Sequence, residues 1–317
     1  MNAQVTRRLR PALVFVLTLL AIELLDELVY GMREASWPLV RDDLHLTYAQ
    51  IGLLIGVPGI LGNLIESVLG ILGDIWKRRL LVLGGGLAFG VSLFILGVSQ
   101  NFWALMLGFV LLWPAGGAFV GLAQAALMDH DPARHEQNMA RWTLVGAMGQ
   151  LLGPLLLGGA VILGFGWRGL YIVFAGLAII QVGITRRFQI SGSSEGVSGM
   201  NFRQGVRDAV AALKRGEIIR WLTLLQFSDL MLDILLGYLA LYMVDVAHTS
   251  QAEAGTAVAI WTGVGLLGDL LLLPLLERVR GIRYLRVSAV LELILFAAFL
   301  LAQNIGFKLV ILGLLGF

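Results

Sequence analysis

The sequence contains no cysteine and only four histidines. The first absence removes disulfides, thiolate metal sites and any catalytic thiol. The second leaves little for imidazole chemistry, because His45, His130, His135 and His248 all fall in predicted loops. Charge is scarce too: 14% of residues are charged, against about a quarter in soluble domains. There is no G-x-x-x-x-G-K-[ST] segment, so nothing marks an ATP-driven pump. Gly84-Gly85-Gly86-Leu87-Ala88-Phe89-Gly90 imitates a dinucleotide loop but lies inside an apolar run with no βαβ unit, which points to helix packing. What the chain has in quantity is apolar surface, 58% of its residues with a mean hydropathy of +0.85, together with 40 glycines. Small residues let membrane helices approach closely. The composition predicts an all-α polytopic membrane protein, with no cofactor and no metal.

Apolar runs long enough to cross about 30 Å of hydrocarbon predict helices at 11–32, 48–72, 80–98, 102–127, 142–164, 168–187, 219–245, 254–276 and 284–302, with a tenth starting near Phe307. Arg7, Arg8 and Arg10 precede the first run as in a signal peptide, but the run contains acids and lacks a small-residue cleavage site before Glu23, so it reads as a retained helix. With the N-terminus in the cytoplasm, every one of the 23 Lys and Arg residues except Arg33, Arg41, Arg168 and Lys308 falls on the inner side. The positive-inside rule selects that orientation, in the plasma membrane.

Against this apolar background the acids stand out. Glu23, Glu27, Tyr30 and Glu34 follow an i, i+4, i+7, i+11 pattern that places them on one face of the first helix, with Asp26 beside them. A carboxylate at the bilayer centre costs roughly 2.5–3.5 kcal/mol even on the most lenient scale. A stripe of them needs a water-filled or protein-lined cavity to face, which is the sequence pattern of a transport pathway. Glu34 and Arg33 are expected nearer the outer interface. Mid-membrane cations are few, which favours a cationic or neutral substrate over an anionic one.

A shift of 203 positions superposes two parts of the chain without gaps. Asp26 falls on Asp229, Asp42 on Asp245, Gly52 on Gly255, Gly62 on Gly265, Glu66 on Asp269, Asp74 on Glu277, Lys77 on Arg280, and Gln100-Asn101 on Gln303-Asn304. Charged pairs inside membrane helices rarely coincide by chance, so the halves are parallel repeats about an axis along the membrane normal. The predicted organisation is a six-helix bundle over 1–188, a cytoplasmic linker with an amphipathic basic segment over 189–218, and a partial second bundle over 219–317. Phe317 corresponds to Pro114, so the second bundle lacks a counterpart of residues 115–190. The expectation is a C-terminally truncated chain with nine helices and the start of a tenth, out of twelve. The basic segment beside a membrane has the anionic lipid surface rather than nucleic acid as its natural partner.

Gly70-Ile71-Leu72-Gly73-Asp74-Ile75-Trp76-Lys77-Arg78-Arg79 resembles the major facilitator signature G-x-x-x-D-[RK]-x-G-[RK]-[RK], with Asp74, Arg78 and Arg79 matching and Ile75 and Lys77 departing. Gly149-Gln150-Leu151-Leu152-Gly153-Pro154 resembles the fifth-helix motif of that superfamily's proton-coupled antiporters, with one extra residue before Gly158-Gly159. In the fourth helix, Trp113 stands where drug-type members carry Arg, with Gly117 in place. The resemblance implies alternating access between two bundles, with helices one, two, seven and eight lining the pathway. It also implies a gating role for Asp74 and Arg78 at the inner side, where Asp129 is the expected partner of Arg78 and Glu277 the repeat mate of Asp74.

The candidate substrate and proton residues are therefore Glu23, Asp26, Glu27, Tyr30, Glu66, Asp229, Asp233 and Asp269. The gating candidates are Asp74, Arg78, Asp129 and Glu277, and the antiporter-like motif is Gly149, Gly153 and Pro154. The expected function is proton-coupled export of a small organic compound, cations included, by a monomer. Three readings stand beside it: a proton-linked uptake symporter, a non-transporting receptor, and an intramembrane enzyme. The last needs a nucleophile–base pair or metal ligands at membrane depth, which the sequence does not offer. His130, Asp129, Asp131, His135 and Glu136 form a loop cluster better read as solvated than as a metal site.

Overall fold

The computed structural model describes residues 3–131, 134–190, 207, 211, 214–276 and 281–316; within these, the side chains of 3–12, 74, 75, 136, 221, 222, 224–233, 269, 270, 272–276 and 281–286 are outside the description. The described chain is helical: α1 (Ala3–Leu44), α2 (Tyr48–Ile75), α3 (Arg78–Val98), α4 (Phe102–Gly116), a π-helical turn (Gly117–Gly121), α5 (Leu122–His130), α6 (His135–Ile162), α7 (Gly166–Thr185), α8 (Gly216–Asp245), α9 (Gln251–Leu276), α10 (Gly281–Leu301) and α11 (Ile305–Gly316). α4, the π turn and α5 form one span. Among the described residues, five helices are long and apolar enough to cross a membrane. Ile60, Leu64, Trp103, Ile162 and Leu301 point outward from the bundle, which suits a hydrocarbon surround. The amphipathic linker segment falls largely outside the described residues.

The first helix differs from expectation. It does not stop near residue 32 but continues to Leu44, carrying Arg33 and Glu34 into the protein interior. Ala35, Trp37 and Val40 are buried on this extra stretch. The Arg33–Glu34 ion pair, 2.6 Å between Nη2 and Oε1, offsets the two charges. A buried charge is tolerated only when paired in this way.

The 203-residue repeat reappears as geometry. Thr47 and Gln50 form a capping box at the start of α2. Their repeat mates Ser250 and Glu253 form the same reciprocal pair before α9, with Ser250 N to Glu253 Oε2 at 2.8 Å and Glu253 N to Ser250 Oγ at 3.3 Å. The hydrogen bonds from Ser250 hold the exposed Glu253 carboxyl below its usual range. Asn101 caps α4 through Ala104 N at 3.0 Å, and its mate Asn304 caps α11 through Phe307 N at 3.0 Å. His45 and His248, also 203 apart, are the non-glycine residues with positive φ among the described residues, at 51° and 55°. Both occupy the tight turn between consecutive helices, where the left-handed region is uncommon for a residue with a Cβ.

Glycines set the closest helix approaches. α1 and α6 meet backbone to backbone: a Cβ on Gly153 would stand 2.5 Å from Met32 N and 2.6 Å from Leu28 O. Gly85 and Gly86 of the dinucleotide-like run do the same for α3, against Ala118 at 2.6 Å and Val182 at 2.5 Å. Both are helix-packing positions.

Candidate substrate and proton site

α1 supplies most of the site. Asp26, Val29, Tyr30 and Arg33 recur at helical spacing and line one wall of a cavity of about 130 Å³. Glu66 of α2 closes a second wall, and Leu112, Trp113, Gly116 and Gly117 of the α4 span close a third. Local sequence explains that third wall. Pro114 lacks an N–H and disturbs the helical ladder, and the chain opens into a π turn immediately after it. Gly116 and Gly117 then leave room for the acids. A Cβ on Gly117 would lie 3.0 Å from the Glu66 carboxyl carbon, and one on Gly116 would lie 3.9 Å from Asp26 Oδ1.

Arg33 is the residue that sequence reading left out. Its Nε donates to Glu34 Oε1 at 2.7 Å, and Trp37 Nε1 donates to the other Glu34 oxygen at 3.2 Å. The guanidinium carbon lies 4.7 Å from the Tyr30 ring centre and 5.6 Å from that of Trp113. The cation that drug-type members carry on the fourth helix is absent, and a cation from α1 sits against the Trp113 that replaces it. Arg33 thus adds one cation to a cavity that also holds the acids Asp26 and Glu66. The signal was present, since Arg33 is seven residues from Asp26 on the same face, but placing α1's end at residue 32 hid it.

The acid stripe divides between two neighbours. Asp26 and Tyr30 turn to the cavity. Glu23 and Glu27 turn to α6, where a Cβ on Gly146 would stand 2.7 Å from Glu23 Oε1 and one on Gly149 would stand 2.7 Å from Glu27 Cβ. The Gln150 side chain lies near Glu27, whose Oε2 is buried without a partner. Glu34 is only 3% exposed. Gly149 and Gly153 of the helix-five motif thus let α6 seat against α1 beneath these acids. Asp229, Asp233 and Asp269, and the gating candidates Asp74 and Glu277, lie outside the described side chains.

At the other end of the bundle Arg78 is 2% exposed, with Nη1 2.5 Å from Asp129 Oδ2 and Nε 3.3 Å from the Gly73 carbonyl. Its charge ties the α2–α3 turn to α5. Among the described residues no three metal-ligating side chains come together.

Chemically, the cavity presents two carboxyl groups and one guanidinium whose charge Glu34 already offsets. Its lining can exchange protons, and it can take a ligand with a cationic or hydrogen-bond-donating group at Asp26 and Glu66. Its volume is below the range of about 300–1,000 Å³ usual for drug-sized ligands, so it holds a small molecule or one portion of a larger one.

The comparisons with known proteins agree with this architecture. The multidrug resistance protein MdtG of Escherichia coli is 28% identical over 170 residues, or 53% of this chain and 40% of that protein. The chain thus spans well under two thirds of the length of the curated relatives it matches. Among solved structures, the nucleoside transporter NupG superposes with a TM-score of 0.74 at 17% identity, covering 95% of this chain and 77% of that one. A bacterial homologue of the human lysosomal transporter Spinster, in an inward-facing and occupied conformation, superposes at 0.69 with 17% identity, covering 95% and 70%. At such identities the likeness is one of fold. The pattern of the Major Facilitator Superfamily matches residues 20–317, and this multi-pass membrane chain belongs to that superfamily.

Proposed function

We propose that the protein is a secondary active transporter that exports small organic compounds, cations among them, in exchange for protons by alternating access. The observation that carries this reading is the pair Asp26 and Glu66, held on two helices in one cavity lining, with Arg33 in the same lining against the Tyr30 and Trp113 rings. Carboxyl groups that gain and lose protons as access changes are the means by which a proton gradient is coupled to a substrate. The relative named a multidrug resistance protein supports export. The proposed setting is the plasma membrane with the N-terminus in the cytoplasm, following the placement of Lys and Arg, and the working unit is a monomer. Asp229, Asp233 and Asp269 complete the pathway from the second half, while Asp74, Arg78, Asp129 and Glu277 govern the inner gate.

The test is flux in proteoliposomes loaded with a fluorescent organic cation. Export by exchange predicts that acidifying the outside accelerates release, and that Asp26→Asn abolishes the acceleration while the protein stays folded. Accumulation of the cation along with protons would replace export by symport. Saturable binding without flux in either direction would leave a receptor. Unaltered coupled flux in Asp26→Asn would remove the cavity from the mechanism.

A further inference from the structure

The described hydrogen bonds between the two halves gather at one end, where α1 meets α8 and α2 meets α9. Tyr48, at the start of α2, donates its hydroxyl to Asp245 at the end of α8. Gln251, at the start of α9, donates from Nε2 to Asp42 at the end of α1, at 3.3 Å. These two contacts are copies of one another. Tyr48 and Gln251 are 203 positions apart, and so are Asp42 and Asp245. Each half extends the first side chain of its second helix to an acid in the last turn of the other half's first helix. A self-complementary contact of this kind is the rule at a twofold interface, and the internal repeat supplies it within one chain.

One component has no copy. Arg41 donates to Asp42 from Nε at 2.9 Å and from Nη2 at 2.8 Å, and it also pairs through Nη1 with Asp245. Its repeat mate is Val244. A single guanidinium therefore bridges both symmetry-related acids and offsets part of their charge. The Arg41 side chain is 17% exposed and that of Asp245 25%, while Asp42 and Tyr48 are about half exposed, so the cluster lies at the surface end of the bundle with Arg41 as its most enclosed member. Without Arg41, two carboxylates would face each other across the axis and push the halves apart.

We infer that this cluster is a gate with twofold pseudosymmetry, and that Arg41 is its bolt. Asp42, Asp245, Tyr48 and Gln251 are its paired halves, and opening it admits water to the Asp26 cavity from that end. The inference rests on the alternating-access reading above. Along α1, Arg41 lies eleven residues beyond Tyr30, or about 16 Å at the helical rise. Between them lies a packed layer in which a Cβ on Gly237 would sit 3.5 Å from Glu34 Oε2 and 3.7 Å from Ile55 Cδ1. These are ordinary contact distances, so Gly237→Cys fits. The chain has no cysteine of its own, and the thiol reports only on this layer.

The experiment labels Gly237→Cys with a membrane-impermeant maleimide in right-side-out and inside-out vesicles. Labelling after denaturation normalises each rate. With the gate intact, labelling from the Asp42 side is slow. Arg41→Val and Asp245→Asn each accelerate it at least tenfold. The decisive variant moves the bolt across the axis: Arg41→Val combined with Val244→Arg returns labelling to within about twofold of the intact gate, because Arg at 244 then lies between the same two acids. Recovery in the transposed variant also demonstrates that it folds. If the acceleration arises in inside-out vesicles instead, the gate stands and the assigned orientation is reversed. No acceleration in either preparation overturns the gate, as does a transposed variant that labels as fast as Arg41→Val alone.

Discussion

Arg33 and Glu34 are adjacent in sequence, yet they make one unit with Trp37, Tyr30 and Trp113. Removing one member of a buried pair leaves the other charge uncompensated, at about 3–5 kcal/mol. Arg33→Gln is therefore expected to destabilise the protein by about 3 kcal/mol or more in equilibrium unfolding from mixed micelles. The double variant Arg33→Gln with Glu34→Gln should recover at least half of that loss, because two hydrogen-bonding amides replace two charges. Equal losses in the single and double variants would mean that the guanidinium acts through packing on the rings alone. Several residue-level features were legible in advance: acids on α1, an acid on α2, and glycine where helices touch. The split of the acid stripe was not. A period of 3.6 identifies residues that share a face, but the neighbours on either side of that face are set by how α6 and the α4 span dock. Here α6 takes Glu23 and Glu27, and the cavity takes Asp26 and Tyr30.

Caps and close approaches are properties of elements, and they carry the repeat. Asn101 and Asn304 each satisfy the same orphan N–H at the start of α4 and α11. Asn101→Ala and Asn304→Ala should each cost about 1 kcal/mol, measured as loss of stability in the same micelles, and unequal losses would show that the halves no longer use the motif alike. Glycine has a different signature. Gly153→Ala should lower the unfolding midpoint sharply, since its Cβ would meet the α1 backbone at 2.5 Å. Gly176→Ala, with no neighbour within 4 Å, should be neutral or stabilise by about 0.5–1 kcal/mol through helix propensity. If both behave alike, backbone contact between α1 and α6 is not what fixes their distance. Sequence alone placed the helix ends here to within a few residues, except at the start of α6, which lies at His135 rather than at 142, and at α1. The α1 exception has a cause: hydropathy treats Arg33, Glu34 and Arg41 as the end of the helix, whereas pairing lets a charged stretch continue as helix.

For the whole molecule, charge placement fixes the orientation to be tested. An impermeant maleimide should label Gln100→Cys in intact right-side-out cells, and Trp76→Cys, 57% exposed in the native protein, only after permeabilisation. The reverse pattern would turn the protein over and exchange the roles of its two ends. Composition, the placement of Lys and Arg, and the 203-residue shift were sufficient for an all-helical membrane protein built from parallel repeats. They also led to a superfamily whose pattern matches residues 20–317. Each depends only on local free energy of transfer or on ancestry written along the chain, and neither needs a partner helix to be known. The tertiary structure decided which residues meet: Arg33 with Trp113 at the cavity, and Arg41 between Asp42 and Asp245 at the axis. Those contacts join positions as many as 204 residues apart, and their pairing depends on the angle and depth at which whole helices pack, which no single segment's sequence contains.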